Sequence, residues 1–249
     1  MLLWHLEEIG DEVELLARHV EGGMLVNFHA EAYVDALWFN ASLLAHSPSL
    51  GHHSRMEIIE VHGPELAPYI DGLGQLRIAV FREYPYLYDG SLEYERDYLK
   101  SYLDSPRSLV ALVLDEGKVV GATTCMPMSE EGPEFQAAFT KAGYDLGTIC
   151  YFGESILLPE YRGRGLGKEF FTRREAHAQK LGSRITTFCA VDRPTDHPRC
   201  PADYVPLDGL WTKQGYTKHP ELQATFVWKE VGEAVESPKT LTFWLKHWS

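Results

Sequence analysis

Up to about residue 46 the apolar positions follow a helical period, and from Met56 onward short apolar runs alternate with helical ones. Leu6, Ile9, Val13, Leu16 and Val20 recur at the spacing of one helix face. A second helical segment, Glu31 to His46, puts Val34, Leu37, Trp38 and Ala41 on one side. Ser47 to Arg55 is polar and broken by Pro48 and Gly51, which reads as a linker. The chain is therefore expected to divide into a helical N-terminal extension, 1–55, and a main domain, 56–249. Two amphipathic helices cannot bury their apolar faces alone, so they are expected to dock on the main domain or on a second copy.

Within the main domain, Glu57 to Val61 reads as a strand, and Pro64 suits the first turn of a helix reaching about Glu83. Asp89-Gly90-Ser91 offers a turn and an N-cap for a helix from Leu92 to Leu103. Leu109 to Leu114 and Val119 to Cys125 form a hairpin about Asp115-Glu116-Gly117. A short helix follows near Glu134 to Lys141, then a strand over Thr148 to Leu158, a helix over Gly165 to Leu181 and a strand over Arg184 to Val191. A proline-rich loop, Arg193 to Pro206, precedes a short helix at Leu207 to Gln214 and strands near Leu222 to Val231 and Leu241 to Lys246. The early hairpin makes this a mixed α/β order and not a doubly wound one.

Composition narrows the partners. The chain has 249 residues, and its 11 Phe, 6 Trp and 13 Tyr supply enough aromatic bulk for a large core. Subtracting 36 acids from 23 bases leaves a net charge of −13. A field of that sign repels phosphate backbones and anionic lipid, so neither nucleic acid nor a membrane surface is expected as a partner. No apolar run approaches the roughly 18 residues of a membrane helix. Acidic residues occupy the start, where a secretory signal would be basic, and Cys125, Cys150, Cys189 and Cys200 form no CxxC pair. A cytoplasmic protein with reduced thiols is expected.

The chemistry concentrates in Ser155 to Lys168, a strand, a glycine-rich turn with two arginines and a helix start. Gly163, Gly165 and Gly167 let backbone N–H groups approach a ligand closely, and the helix points its free N–H groups and positive end at the same place. Arg162, Arg164 and Lys168 add positive charge, so the segment describes a cradle for a diphosphate. A Walker loop is excluded because Lys168 is followed by Glu169, which disfavours a kinase or ATPase. The dinucleotide fingerprint fails because its third glycine comes one residue early.

What remains, Arg162-x-x-Gly165-x-Gly167 after a strand ending in Leu158-Pro159, resembles the pyrophosphate-binding motif of the GNAT superfamily of acyl-CoA-dependent N-acyltransferases. The order of elements from Met56 to Val191, and Leu210 to Tyr216, resemble the same family. The resemblance implies an α/β (α+β) fold: a mixed, mostly antiparallel sheet flanked by helices, whose central parallel strands splay apart. It implies that acetyl-CoA serves as cosubstrate without a metal. Its pantetheine arm would lie against Ile156, Leu157 and Leu158, and its diphosphate on the amides of Arg162, Gly163, Arg164, Gly165, Leu166 and Gly167, with Lys168 adjacent. The implied reaction is direct transfer of an acyl group to a primary amine. Many members are dimers, so a homodimer is one assembly open to this chain.

An ammonium must lose a proton before it attacks a thioester, so a base is expected. Glu154 is the first candidate: by period two it shares an apolar face with Phe152, Ile156 and Leu158, and desolvation raises a carboxylate's pKa. The alternative is a buried Glu paired with an arginine. Tyr216 and Tyr204 are candidate proton donors to the leaving thiolate, with a core role the alternative for Tyr216. The family commonly has a tyrosine where Trp211 stands, and a chain lacking that acid keeps open a second reading, a non-catalytic acyl-CoA-binding module. Asp192, Asp196 and His197 follow the second cleft strand and are candidate acceptor-site residues, Asp192 also a candidate base. Tyr84, Tyr86, Tyr88 and Tyr94 read as packing residues with an apolar or aromatic acceptor site as the alternative. The acidic surface suggests a cationic acceptor such as a polyamine, an aminoglycoside or a basic peptide terminus.

Overall fold

The computed structural model describes residues 56–248, so the two helices expected within 1–55 and the linker before Met56 lie outside the described residues. The apolar runs become β1 (Met56–Val61), β2 (Leu109–Asp115), β3 (Lys118–Pro127), β4 (Ile149–Leu157), β5 (Ile185–Val191), β6 (Thr217–Trp228) and β7 (Ser237–His247). The helical segments become α1 (Ile70–Phe81), α2 (Leu92–Asp104), α3 (Pro133–Lys141), α4 (Leu166–Lys180) and α5 (Asp208–Lys213). A 3-10 turn, Gly63–Tyr69, with Pro64 at its start leads into α1, and Ser91 caps α2 by accepting from the Tyr94 N–H at 3.3 Å.

The strands form one seven-stranded sheet in the order β1-β2-β3-β4-β5-β7-β6. All neighbours are antiparallel except β4 and β5, which are parallel. The last strand inserts between β5 and β6. Strand β6 begins earlier than the sequence suggests and ends before Val231, because Glu230 bridges to Tyr88 and Gly232, at φ 87°, turns the chain. Among the described residues no helix is long and apolar enough to cross a membrane.

Each face of the sheet is covered. Leu73, Leu76 and Val80 of α1 and Leu99 and Tyr102 of α2 pack on Val110, Leu112, Ala122 and Ile156. Phe170, Phe171 and Ala178 of α4 and Trp211 of α5 pack on Phe152, Leu157 and Phe188 from the other side. Strand β4 contributes to both layers out of simple alternation. Phe152 pairs with Cys125 and Ser155 with Thr123, so Thr124 stands opposite both Gly153 and Glu154 in a β-bulge. The extra residue puts Glu154 and Ile156 on the α1/α2 side and leaves Phe152 on the α4 side, which corrects the period-two expectation that the three share a face.

Glu131, between β3 and α3, is a buried carboxylate. Its Oε2 accepts from the Gly132 N–H at 2.9 Å, and its Oε1 has no partner among the described residues. Burial pushes its pKa up from 4.5 to about 7. The folded chain thus holds this proton more tightly than the unfolded chain. Its contribution to stability is complete below the unfolded pKa near 4.5 and is lost as the pH rises to about 7, on the order of 3 kcal/mol in all. In calorimetric melting across that window, the wild type is expected to lose Tm relative to Glu131→Gln as the pH rises. Parallel profiles would remove the assignment.

Candidate active site

After β4 the chain makes a 3-10 turn, Pro159–Tyr161, and then two left-handed glycines, Gly163 at φ 72° and Gly165 at φ 75°. Gly165 is the N-cap of α4, a position where a side chain would strain the backbone. No backbone N–H from Gly163 to Lys168 donates to a carbonyl among the described residues, so these groups converge unpaired at the positive end of a 15-residue helix. This arrangement fits a diphosphate. The amide of Arg162 is not part of it, because that N–H donates to the Pro159 carbonyl at 3.1 Å.

The arginine side chains shape the loop. Arg162 donates from Nε to the Leu157 carbonyl at 3.2 Å and pairs with Glu83 at the end of α1 at 3.1 Å. Arg164 donates to the Glu160 carbonyl at 2.8 Å and lies over the Tyr161 ring. Ile156 and Leu157 are buried, and the Leu158 N–H donates to the Val120 carbonyl at 3.0 Å. Lys168 is exposed.

Strands β4 and β5 pair only through Ile149–Ile185, Cys150–Thr186 and Tyr151–Thr187. Beyond Tyr151 they separate, and a cavity opens on each side of the sheet. The α4/α5-side cavity is lined by Phe152, Ser155, Phe171, Arg174, Phe188 and Trp211. The α1/α2-side cavity is lined by Tyr88, Tyr94, Tyr98, Glu95, Phe135 and Trp228, with Arg77 among them. Phe81, Tyr86, Gly153, Glu154 and Cys189 line both, so the cavities adjoin at the bulge.

Glu154 is the ionisable centre of this junction. Its Oε2 accepts from Arg77 at 2.5 Å, Arg77 also pairs with Glu95 of α2 at 2.5 Å, and the guanidinium lies 4.0 Å from the Tyr98 ring centroid. Glu154 Oε1 has no hydrogen-bond partner among the described residues. Burial raises the Glu154 pKa above the ordinary carboxylate value, and Arg77 opposes that shift. Burial pushes the neighbouring Cys189 thiol up to about 12, so it stays protonated and offers no nucleophile near neutral pH.

Tyr216 and Asp192 do not join Glu154. The Tyr216 hydroxyl is buried against Thr186 at 3.0 Å and Glu175 at 3.4 Å, lines neither cavity, and has its pKa raised by burial. Asp192 accepts from Thr242 at 2.6 Å and pairs with Lys218 at 3.3 Å beside a separate small cavity. Tyr84 packs edge-on to Tyr204 and near His197, whereas Tyr86, Tyr88 and Tyr94 form cavity wall. Among the described residues no group of three His, Cys, Asp or Glu side chains is placed to hold a metal ion.

Sequence reasoning missed Arg77, Glu95 and Arg174, although a signal was present. Each falls on the apolar face of its helix by period: Arg77 with Leu73 and Val80, Glu95 with Leu99 and Tyr102, Arg174 with Phe170, Phe171 and Ala178. Arg174 is the least compensated. It stacks 4.4 Å from the Phe152 ring centroid and 4.8 Å from that of Phe171, and its buried Nε has no hydrogen-bond partner among the described residues. A buried guanidinium in that condition is suited to a ligand oxygen in the cavity it lines.

A strand–turn–helix anion cradle opening on a splayed parallel pair defines an acyl-CoA-type cleft. The profile of the family described as "Acetyltransferase (GNAT) family" matches residues 75–201, and the chain belongs to that family. The family uses acetyl-CoA as cosubstrate and needs no metal. The fold is similar to an acetyltransferase from Thermus thermophilus at 17% identity, covering 80% of this chain and 100% of that one with a TM-score of 0.45. It is also similar to Arabidopsis thaliana NAA60, solved with a bisubstrate analogue, at 10% identity, 78% and 100% coverage and a TM-score of 0.49. Salmonella typhimurium yncA, solved with acetyl-CoA, is similar at 14% identity, 78% and 94% coverage and a TM-score of 0.45. None of the curated proteins compared with the chain matches its sequence.

The cradle yields a direct prediction. Gly165→Val places a β-branched side chain at φ 75° among the free N–H groups. Acetyl-CoA affinity is expected to fall by well over roughly tenfold by calorimetry in a folded variant. Unchanged affinity would show that the cradle does not hold the cosubstrate.

Proposed function

We propose that this chain is an acyl-CoA-dependent N-acyltransferase that moves an acetyl group from acetyl-CoA directly to a primary amine. The observation that carries the reading is the meeting of the two cavities at Glu154, between an anion cradle on one side of the sheet and an aromatic chamber on the other. Acetyl-CoA bound along the splayed strand supplies an activated thioester at that junction. Gly163 to Lys168 hold its diphosphate through backbone N–H groups, and Arg174 donates to an oxygen on the α4 side.

Glu154 Oε1 accepts the proton that the incoming ammonium must lose. The freed amine nitrogen then bonds to the acyl carbon as the carbon–sulfur bond breaks, and coenzyme A leaves with the electron pair on sulfur. The proton remaining on the new amide nitrogen passes to that thiolate, giving a neutral amide and free thiol. A thiolate leaves without a dedicated acid because its pKa is modest. Holding both reactants at one gap supplies much of the rate. In this reading Tyr216 is a packing residue and Asp192 steadies the start of the 193–206 loop. Four free cysteines and the acidic composition support a cytoplasmic location, with neither nucleic acid nor a membrane surface as partner.

Release of free thiol from acetyl-CoA, with a mass gain on a primary amine, tests the activity across an amine panel. Thiol release that no amine stimulates would reject the transfer. Glu154→Gln is expected to lower turnover by about 10²–10⁴-fold with acetyl-CoA affinity nearly intact. The wild-type rate should rise with pH through a limb above the ordinary carboxylate range, and the variant should lose that limb. An unchanged pH profile would move the base elsewhere. Arg174→Met keeps the apolar stem and is expected to weaken acetyl-CoA binding by about 10–100-fold. Wild-type affinity in a folded Arg174→Met would remove that contact.

A further inference from the structure

The chamber on the α1/α2 side has a definite charge and a definite size. Its arginine and carboxylate lining consists of Arg77, Glu95 and Glu154, one cation against two carboxylates, which leaves one negative charge when both acids are ionised. Each carboxylate uses one oxygen on Arg77 and leaves the other unpaired: Glu95 Oε1 and Glu154 Oε1 have no hydrogen-bond partner among the described residues although both are buried. The Tyr88 hydroxyl lies beside Glu95. A buried carboxylate oxygen without a protein partner is costly, and a ligand carrying N–H donors and one positive charge suits both.

The rest of the wall is aromatic. Tyr86, Tyr94, Tyr98, Phe135, Phe226 and Trp228 present rings to the chamber, and ring faces favour a cation over a neutral guest. The cavity is about 120 Å³, close to the roughly 150 Å³ of an apolar cavity that accepts benzene. No second carboxylate pair lines the chamber to receive a distal charge, and Arg77 repels one.

Resting on the acyltransferase reading above, we infer that the acceptor is a small monoamine: one primary ammonium, held by Glu95 and Glu154, on a ring-sized apolar or aromatic body. Polyamines, aminoglycosides and basic peptides, which the net charge alone suggested, are disfavoured in the chamber by its single uncompensated charge. The overall negative field still draws cations to the protein, but the wall decides which one fits.

The test is calorimetric binding of amines to the full chain, with and without saturating coenzyme A. Benzylamine is the probe, benzyl alcohol its neutral isostere and putrescine the diamine. Benzylamine is expected to bind at least roughly tenfold more tightly than either. Glu95→Gln is expected to weaken benzylamine by a further roughly tenfold while the affinity for coenzyme A stays at the wild-type value. Putrescine binding as tightly as benzylamine, or benzyl alcohol binding equally well, overturns the inference using the wild-type chain alone, so a variant that fails to fold does not shield it. Parallel titration with acetyl-CoA separates the two failures. Benzylamine binding in a chain that does not bind acetyl-CoA rejects the transferase reading and leaves the amine site standing.

Discussion

The structure depends on the bulge that Gly153 allows in the central strand. A Cβ at Gly153 would lie 2.1 Å from the Tyr102 hydroxyl and 2.5 Å from Thr124 Oγ1, so no side chain fits there without moving both. Those same groups pin the bulge: Thr124 donates to the Tyr102 hydroxyl at 3.1 Å and accepts the Glu154 N–H at 3.2 Å, while Thr123 donates to the Glu154 carbonyl at 2.8 Å. The bulge shifts the phase of β4 in the stretch where it parts from β5. One extra residue therefore accompanies the gap between the strands and aims a carboxylate into it.

The aromatic chamber is held from the far end of the chain. Arg193 donates to the Pro85 carbonyl at 2.6 Å and the Tyr86 carbonyl at 3.0 Å, and pairs with Glu230 at 2.7 Å. The Asp89 N–H donates to the Lys229 carbonyl and the Val231 N–H to the Leu87 carbonyl, which fixes the α1–α2 connection to the end of β6. The loop after β5, which the sequence suggested as an acceptor site through Asp192, Asp196 and His197, thus meets the aromatic chamber through Arg193 and the backbone at Tyr86. Arg193 sits between two of the candidates and performs the contact that neither of them makes.

What was legible in the sequence was local. The strand–turn–helix about Arg162 to Lys168 could be read because its glycines and its helix start lie in consecutive residues. The strand and helix order was legible for the same reason, since period and turn residues act over a few positions. The faces of β4 were not, because a bulge depends on Thr124 and Tyr102 from elements distant in sequence. The Arg77–Glu95–Glu154 cluster joins α1, α2 and β4, and only the fold brings its members together. Charged residues at apolar positions of α1, α2 and β4 were the trace it left in the sequence.

For the proposed reaction, that cluster accounts for a buried carboxylate acting as the base. A Glu paired alone with an arginine is held ionised and is a weak acceptor of protons. A Glu buried alone is neutral and has no charge with which to attract an ammonium. Here Arg77 divides its guanidinium between Nε on Glu95 and a terminal nitrogen on Glu154, and the nearby charge of Glu95 works against ionisation of Glu154. Burial pushes in the same direction, and the pull of Arg77 does not fully cancel it. Close approach of α2 to α1 is a condition of this balance. Gly74 permits it, since a Cβ there would meet Leu92 at 2.8 Å and the Glu95 Cβ at 3.1 Å. A glycine in a helix interior, which costs about 1 kcal/mol against alanine, thereby brings the second carboxylate within reach of the shared arginine, where its charge adds to the burial that raises the proton affinity of the first.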